Sequence, residues 1–266
     1  MMLEVFGYVG ALFIGLVLGL IGGGGSILTV PILVYLMFIN PVMATAYSLF
    51  VVGTTSLVGA IKNIQKGLVD FKTAIVFATP AFIAVYITRK FLVPAIPEEL
   101  FYVGDFLLSK DTAIMVFFAS IMLLASISMI RGHKELTEKE TKNTHFKYST
   151  LIIQGFCIGL VTGIVGAGGG FLIIPALVFL AKLPMKKAVA TSLFIIAINS
   201  LIGFLGDIQN FEIDWPFLLV FTSISVVGIF IGIYLNKFIE GKKLKKIFGW
   251  FVLLMGIYIL YKELLA

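Results

Sequence analysis

The chain has 266 residues, of which 60% are hydrophobic and only 13% are charged, and its formal net charge is +6. Since a soluble domain averages about a quarter charged residues, this composition excludes a soluble globular protein and predicts a polytopic membrane protein. The lysines lie in short loops between apolar runs, so the positive charge indicates membrane orientation and not nucleic-acid binding.

Apolar runs between charged, glycine or proline breaks predict ten helical segments. In chain order they cover residues 4–21, 27–39, 42–61, 72–92, 112–130, 149–165, 171–181, 187–205, 215–235 and 247–264. Most approach the ~20 residues that a membrane-spanning helix needs. The second and seventh contain only 13 and 11 residues, which as helix reach about 16–20 Å of a ~30 Å hydrocarbon core. We therefore expect an all-α fold in which each half contains a short, broken helical hairpin.

The N-terminal Met1–Glu4 has no basic region, so the first segment is expected to be retained and not cleaved as a signal peptide. Cys157 is the only cysteine, which excludes an intramolecular disulfide, and its apolar neighbours predict a buried thiol.

A glycine-rich sequence occurs twice. Residues 19–36 read GLIGGGGSILTVPILVYL and residues 163–180 read GIVGAGGGFLIIPALVFL. Pro31 and Pro175 set the offset at 144 residues, and at that offset 17 of the 41 pairs between 19–59 and 163–203 are identical. A glycine cluster duplicated inside hydrophobic runs is typical of a transporter's binding site. The expected division is a first membrane repeat at 1–130, a basic linker at 131–148 and a second repeat at 149–266.

Basic residues predict the orientation of the repeats. Four loops, at 62–72, 131–148, 182–187 and 236–246, hold 16 of the 20 lysines and arginines, and all four follow odd-numbered segments. The positive-inside rule makes these loops cytoplasmic and places both termini outside the cytoplasmic membrane. The basic loop 62–72 has an acidic equivalent at 206–214, so the halves are expected to be inverted-topology repeats.

The two glycine clusters are the principal candidates for substrate binding. Glycine allows sharp turns and close approach of a ligand, and irregular backbone in a membrane must line a cavity or lie within protein. The N–H groups of a following helix would attract an anion. The alternative is close helix packing, which better explains the four-residue spacing of other glycines. The candidate residues are Gly22, Gly23, Gly24, Gly25, Ser26, Gly166, Gly168, Gly169 and Gly170.

Polar residues on the third and eighth segments extend this candidate site. Their hydroxyl and amide groups would donate hydrogen bonds to an oxyanion, although bonding to their own or a neighbouring helix is an equal alternative. Pro31 and Pro175 lie within the short segments, where each removes a helical hydrogen bond and either frees carbonyls or only kinks the helix. The candidate side chains are Thr45, Ser48, Thr191, Ser192 and Asn199, with Ser56 and Ser200 nearby.

Ionisable residues argue against catalysis. No Asp, Glu, Lys, Arg or His lies clearly inside an apolar segment, so the acid pair or base of an intramembrane enzyme is not expected. His133 and His145 fall in the hydrophilic linker, and neither a metal site nor a cofactor is predicted. Asp70 and Asp214, at matching segment starts, are the candidates for proton coupling, but helix N-capping is the favoured interpretation.

The duplicated Gly-Pro motifs, each followed by an Ala-x-Ala-x-Ser-Leu segment at 44–49 and 188–193, resemble the sulfite exporter TauE/SafE family of bacterial permeases. The resemblance covers nearly the whole chain and implies transport of a small sulfur-containing anion such as sulfite or an organosulfonate. Its partners would be this anion and the lipid bilayer, and a homo-oligomer is left open. Two alternatives remain, a passive anion channel and a membrane scaffold without transport. Tyr47 stands where the second repeat has Thr191, so the two repeats differ at one of the candidate positions.

Overall fold

The computed structural model describes residues 2–103, 106–131, 148–179, 181–210, 212–236, 238 and 241–265. In the first half, α1 (Met2–Ile21) leads through a 3-10 helix (Gly23–Leu28) into α2 (Thr29–Tyr35), α3 (Pro41–Gln65) and α4 (Phe71–Ile87). A π-helical turn (Thr88–Leu92) and the single turn α5 (Val93–Ala95) extend α4. Strands β1 (Glu99–Val103) and β2 (Phe106–Ser109) form an antiparallel hairpin before α6 (Lys110–Arg131). The second half contains α7 (Tyr148–Val165), α8 (Gly170–Phe179), α9 (Met185–Asp207), α10 (Trp215–Leu235) and α11 (Gly241–Leu265).

Each of the ten predicted segments falls on a helix, so the prediction of an all-α polytopic membrane protein is confirmed. Within the described residues, six helices are long and apolar enough to cross a membrane: Pro41–Gln65, Phe71–Ala95, Lys110–Arg131, Met185–Asp207, Trp215–Leu235 and Lys246–Leu264. The predicted linker 131–148 lies outside the described residues except at its two ends.

The β1–β2 hairpin was not expected from the pattern of apolar runs. Its strands pair from Glu99 with Ser109 to Val103 with Phe106. The sequence Phe101-Tyr102-Val103 has high strand propensity. Strands of four and five residues are much shorter than the apolar runs that predict the helices.

Side-chain caps determine where three helices begin. Asn40 Oδ1 accepts from the backbone N–H of Val42 at 2.9 Å at the start of α3. Asp70 Oδ1 accepts from Thr73 at 2.9 Å at the start of α4. Asp214 Oδ1 accepts from the backbone N–H of Phe217 at 3.1 Å at the start of α10. The N-capping interpretation of the two aspartates is therefore confirmed.

Two pairs of helices join the first half to the second, and the helices of each pair run parallel. The pairs are α1 with α10 and α4 with α7. Small residues bring their backbones together: Gly15 lies against the backbone of Ser225, and Gly19 against the backbone of Ile229. In the second pair, a Cβ on Gly155 would lie 2.5 Å from the carbonyl oxygen of Phe77. Close packing is therefore the observed role of these regularly spaced glycines.

Two further pairs join helices of corresponding position in each half, and both run antiparallel. In α3 and α9, Gly53 lies against Leu201 and Gly203 against Leu49. In α6 and α11, Gly249 lies against Met129, whereas Gly256 lies against Leu123. The α3–α9 pair forms the middle of the protein and supplies many of its buried polar side chains.

The outer surface is strongly apolar, as expected of a protein that faces lipid. Along α11 the exposed side chains include Ile247, Trp250, Phe251, Leu254 and Ile257. Cys157 on α7 is also exposed. The expectation of a buried thiol is therefore wrong, because the apolar neighbours of Cys157 belong to a surface that contacts lipid and not to the interior.

Candidate functional site

The two glycine clusters meet in the interior. A Cβ placed on Gly23 would collide with main-chain atoms of Gly170, and a Cβ placed on Gly170 would collide with Gly23. Both residues are buried. Only glycine permits this approach, since any side chain would separate the two backbones.

The first cluster forms a 3-10 helix that continues directly into α2. Within it, the Ser26 hydroxyl donates to the carbonyl of Gly23 at 2.8 Å, and Gly25 is packed against the backbone of Leu18. Pro31 is the third residue of the seven-residue α2. The helical segment after α1 therefore begins within the cluster, at Gly23, and a role of its N–H groups in anion binding stays a prediction.

The second cluster is an irregular loop between α7 and α8. Gly166, Gly168 and Gly169 all have positive φ, at 72°, 63° and 70°, a conformation that residues other than glycine rarely adopt. Gly170 then begins α8, which contains Pro175 and has ten residues. Although their sequences correspond, the two clusters thus differ in structure.

A buried ion pair lies beside the second cluster. Arg89, in the π-helical turn, is 0% exposed and Asp207, at the end of α9, is 1% exposed. Arg89 Nη1 lies 3.3 Å from Asp207 Oδ2 and donates to the Thr45 hydroxyl at 2.9 Å. A Cβ on Gly166 would lie 2.6 Å from Arg89 Nη2. The expectation that no ionisable residue lies inside the apolar segments is therefore wrong.

Several candidate hydroxyl groups have partners within the protein. The Thr45 hydroxyl donates to the carbonyl of Val42 at 2.6 Å while it accepts from Arg89. The Ser192 hydroxyl donates to the carbonyl of Val189 at 2.8 Å. These bonds follow the helix-bonding alternative that the sequence left open, and a role in substrate binding stays a prediction.

Two corresponding hydrogen bonds join the two halves. The Thr191 hydroxyl accepts from the backbone N–H of Asp70 at 3.0 Å, and the Tyr47 hydroxyl accepts from the backbone N–H of Asp214 at 2.7 Å. Thr191 and Tyr47 correspond at the 144-residue offset, as do the two aspartates. The difference between threonine and tyrosine thus preserves one contact by which each half holds the start of a helix in the other.

Four uncharged polar side chains of α3 and α9 are buried and have no hydrogen-bond partner among the described residues: Ser48, Ser56, Asn199 and Ser200. A Cβ on Gly168 would lie 2.7 Å from the Ser200 hydroxyl oxygen, so this hydroxyl borders the second glycine cluster. Buried polar groups in a native protein are normally paired. Ser48 and Asn199 of the predicted site are thus unpaired, and their role in substrate binding stays a prediction.

A cavity of about 450 Å³ lies at the start of α3 and α10. It is lined by Tyr8, Met37, Ile39, Met43, Tyr47, Asp214 and Phe217. No residue of either glycine cluster is among them.

Within the described residues no group of three or more His, Cys, Asp or Glu side chains is placed to hold a metal ion. His133 and His145 lie outside the described residues.

The sequence interpretation missed the ion pair, although a signal existed. At the 144-residue offset Arg89 corresponds to Ile233, and Asp207 corresponds to Asn63. At both positions one repeat has a charged residue where the other repeat has an uncharged one. Positions 207 and 233 lie beyond residue 203, where the comparison of the repeats ended. Arg89 and Lys90 lie near the end of the predicted segment 72–92, where a charge normally marks the membrane surface.

Comparison with known proteins identifies the family. The family model for the sulfite exporter TauE/SafE matches residues 8–259. A "Probable membrane transporter protein" of Xylella fastidiosa strain 9a5c is 28% identical over 257 residues, which cover 94% of this chain and 92% of the relative. The "Probable membrane transporter protein YunE" of Bacillus subtilis is 26% identical and covers 96% of each chain.

A third relative matches a shorter region more closely. The "Probable membrane transporter protein MJ0441" of Methanocaldococcus jannaschii is 39% identical over 114 residues, or 41% of this chain and 43% of the relative. No solved structure matches the chain. Because the family model covers nearly the whole sequence and the relatives are described as transporters, this chain belongs to the sulfite exporter TauE/SafE family of membrane transporters.

Proposed function

We propose that this protein exports a small sulfur oxyanion, sulfite or an organosulfonate, across the cytoplasmic membrane by alternating access between two inverted repeats. The observation that carries the proposal is the contact of the glycine clusters at Gly23 and Gly170, with the unpaired Ser200 hydroxyl beside Gly168 of the second cluster. Irregular backbone of this kind is tolerated at membrane depth only within protein or beside a cavity. Such broken helices hold the substrate in many secondary transporters.

The direction of the helix pairs supports the inversion of the repeats. Helices α3 (Pro41–Gln65) and α9 (Met185–Asp207) correspond at the 144-residue offset, and they pack antiparallel. Two equivalent helices that run in opposite directions are what a two-fold axis in the membrane plane produces. Helix α1 corresponds to α7, and α10 corresponds to α4. The same axis therefore relates the α1–α10 contact to the α4–α7 contact.

In this proposal, residues 1–130 and 149–266 are the two moving units and residues 131–148 are the cytoplasmic linker. Both termini lie outside in this proposal, which the charge of the loops supports. The substrate would be bound near the glycine contact by backbone N–H groups and by the unpaired Ser48, Ser200 and Asn199. The partners are the anion and the bilayer, without nucleic acid, and we propose transport without catalysis.

The proposal is tested by sulfite efflux from proteoliposomes that contain the purified protein. We expect saturable efflux above that of protein-free vesicles. Repeating the measurement with and without an imposed pH gradient then shows whether protons are coupled to the anion. A folded protein that moves neither sulfite nor methanesulfonate would contradict the substrate assignment.

Two alternatives give different results in the same vesicles. A passive anion channel gives efflux that does not saturate and is not accelerated by anion on the opposite side. A scaffold predicts that large side chains at Gly24 and Gly168 damage folding and flux together. The transport proposal instead expects some glycine or serine variants that fold normally and do not transport.

A further inference from the structure

Arg89 is buried in a way that helix packing does not require. At the equivalent place in the second half, Ile233 lies in α10 and its backbone N packs against Gly19. The glycine beside each junction shows the same difference. Gly22 contacts Val189, whereas its equivalent Gly166 contacts Thr45 and Arg89. The same helix junction therefore forms once with apolar residues and once around a buried cation. Since burial of a cation costs far more than burial of an isoleucine, Arg89 has a role beyond packing.

The two edges of the Arg89 guanidinium are used differently. Nη1 donates to the Thr45 hydroxyl at 2.9 Å and lies 3.3 Å from Asp207 Oδ2. Nε and Nη2 have no hydrogen-bond partner among the described residues, although both atoms are buried. The N–H groups of Nε and Nη2 point in parallel from one edge of the planar group. That edge is the one that matches two oxygens of an oxyanion.

This edge borders the second glycine cluster. A Cβ on Gly166 would lie 2.6 Å from Nη2, and Gly166 holds a positive φ of 72°. Glycine at position 166 therefore keeps side-chain atoms away from the guanidinium, and glycine at position 206 leaves room for the base of the Arg89 side chain, since a Cβ there would lie 3.0 Å from Arg89 Cβ. The π-helical turn that carries Arg89 is itself a feature that occurs frequently at functional sites.

We infer that Arg89 binds the transported oxyanion through its Nε–H and Nη2–H groups, and that Asp207 is a positioning residue that holds the guanidinium at Gly166 through Nη1. The inference rests on the proposed function, since it names the cation that receives the same anion. Because Ile233 replaces Arg89 in the second half, there is one such subsite and not a symmetric pair.

Asp207 has a second consequence for the anion. Without the anion, the Asp207 carboxylate balances the charge of Arg89. When the anion is bound, the guanidinium interacts with two negative groups, the carboxylate and the anion. Sharing weakens the hold on the anion, and a transporter needs release as much as binding. Replacement of Asp207 by Asn is therefore expected to tighten anion binding and to slow release.

Thermal stability of the purified protein measures binding without transport. The probes are sodium sulfite and sodium methanesulfonate, compared with sodium chloride at equal ionic strength. We expect both sulfur oxyanions to raise the Tm of the wild type saturably. Arg89→Lys keeps the charge but loses the parallel N–H pair, so the apparent affinity should fall about tenfold to a hundredfold. Lys90→Gln is the matched control, because Lys90 donates to Tyr86 outside this cluster, and its affinity should be unchanged.

The outcomes separate the inference from the proposed function. If Arg89→Lys does not fold, the double variant Arg89→Gln/Asp207→Asn removes both charges together and takes its place. A wild-type anion response that these variants retain overturns the inference, and so does a wild type that neither oxyanion stabilises. An anion response that depends on Arg89, without sulfite efflux from wild-type proteoliposomes, supports the binding site and contradicts the transport proposal. Efflux with unchanged KM in Arg89→Lys supports transport and contradicts the site.

Discussion

The backbone of Gly23 packs directly against the backbone of Gly170, so the 3-10 helix of the first half and α8 of the second half touch without side chains between them. A motion of one half relative to the other would therefore change the surroundings of both clusters together.

Gly23→Ala is expected to impair both stability and transport, because its methyl group would collide with main-chain atoms of Gly170. Overpacking of this kind costs about 1–3 kcal/mol. Gly24→Ala is the matched control in the same cluster, since its Cβ would meet only side-chain atoms of Ile21 and Phe248 at 3.3 Å. Thermal unfolding and sulfite efflux measure the two effects. Equal loss in both variants would contradict the importance of the Gly23–Gly170 contact.

Thr191→Val and Tyr47→Phe remove the hydroxyl groups that accept from the backbone N–H groups of Asp70 and Asp214. Each variant should lose about 0.5–1.5 kcal/mol of unfolding free energy, the usual net contribution of one hydrogen bond. Because the hydroxyl groups are already engaged, KM for the anion should not change. Ser223→Ala is the control, since its exposed hydroxyl bonds only to its own helix. A raised KM with normal stability in Thr191→Val would instead indicate substrate binding.

Asp70 and Asp214 cap α4 and α10 through backbone N–H groups. Replacement of either by Ala should cost about 1 kcal/mol, whereas Asn keeps the capping oxygen and should cost little. Since capping needs no proton exchange, both Asn variants should retain efflux and its dependence on a pH gradient. Loss of that dependence in a stable Asn variant would show that the aspartate takes part in proton coupling.

The helices were predictable from the sequence because their signals are local. Runs of about 20 apolar residues identify the long segments, and the glycine clusters identify where the short helices begin. Asp70 and Asp214 stand at the starts of apolar runs, as N-caps do. The structure of the first cluster was not predictable, because a 3-10 helix and an open loop are both compatible with four glycine residues.

The buried ion pair could not be located from local pattern. Arg89 and Asp207 are far apart in the sequence and meet only because α4 and the π-helical turn that follows it pack against α9. Each residue stands near the end of an apolar run, where a charge normally marks the membrane surface. The repeat comparison holds the remaining signal, since Ile233 and Asn63 occupy the corresponding positions.

Inverted topology predicts that equivalent loops lie on opposite sides of the membrane. Lys66 and Asn210 correspond at the 144-residue offset and are both exposed. In a Cys157→Ser background, which is free of cysteine, Lys66→Cys should react with a membrane-impermeant maleimide only from the cytoplasmic side. Asn210→Cys should react only from the outside. Labelling of both from the same side would contradict the inverted repeats.

Sulfite counterflow tests the central claim most directly. Proteoliposomes are loaded with unlabelled sulfite, and the entry of radiolabelled sulfite from outside is followed over time. An alternating-access carrier exchanges one anion for the other, so the account predicts transient accumulation of label above its external concentration, which empty vesicles do not show. Label that only approaches the external concentration, at a rate independent of the internal sulfite, would contradict the account.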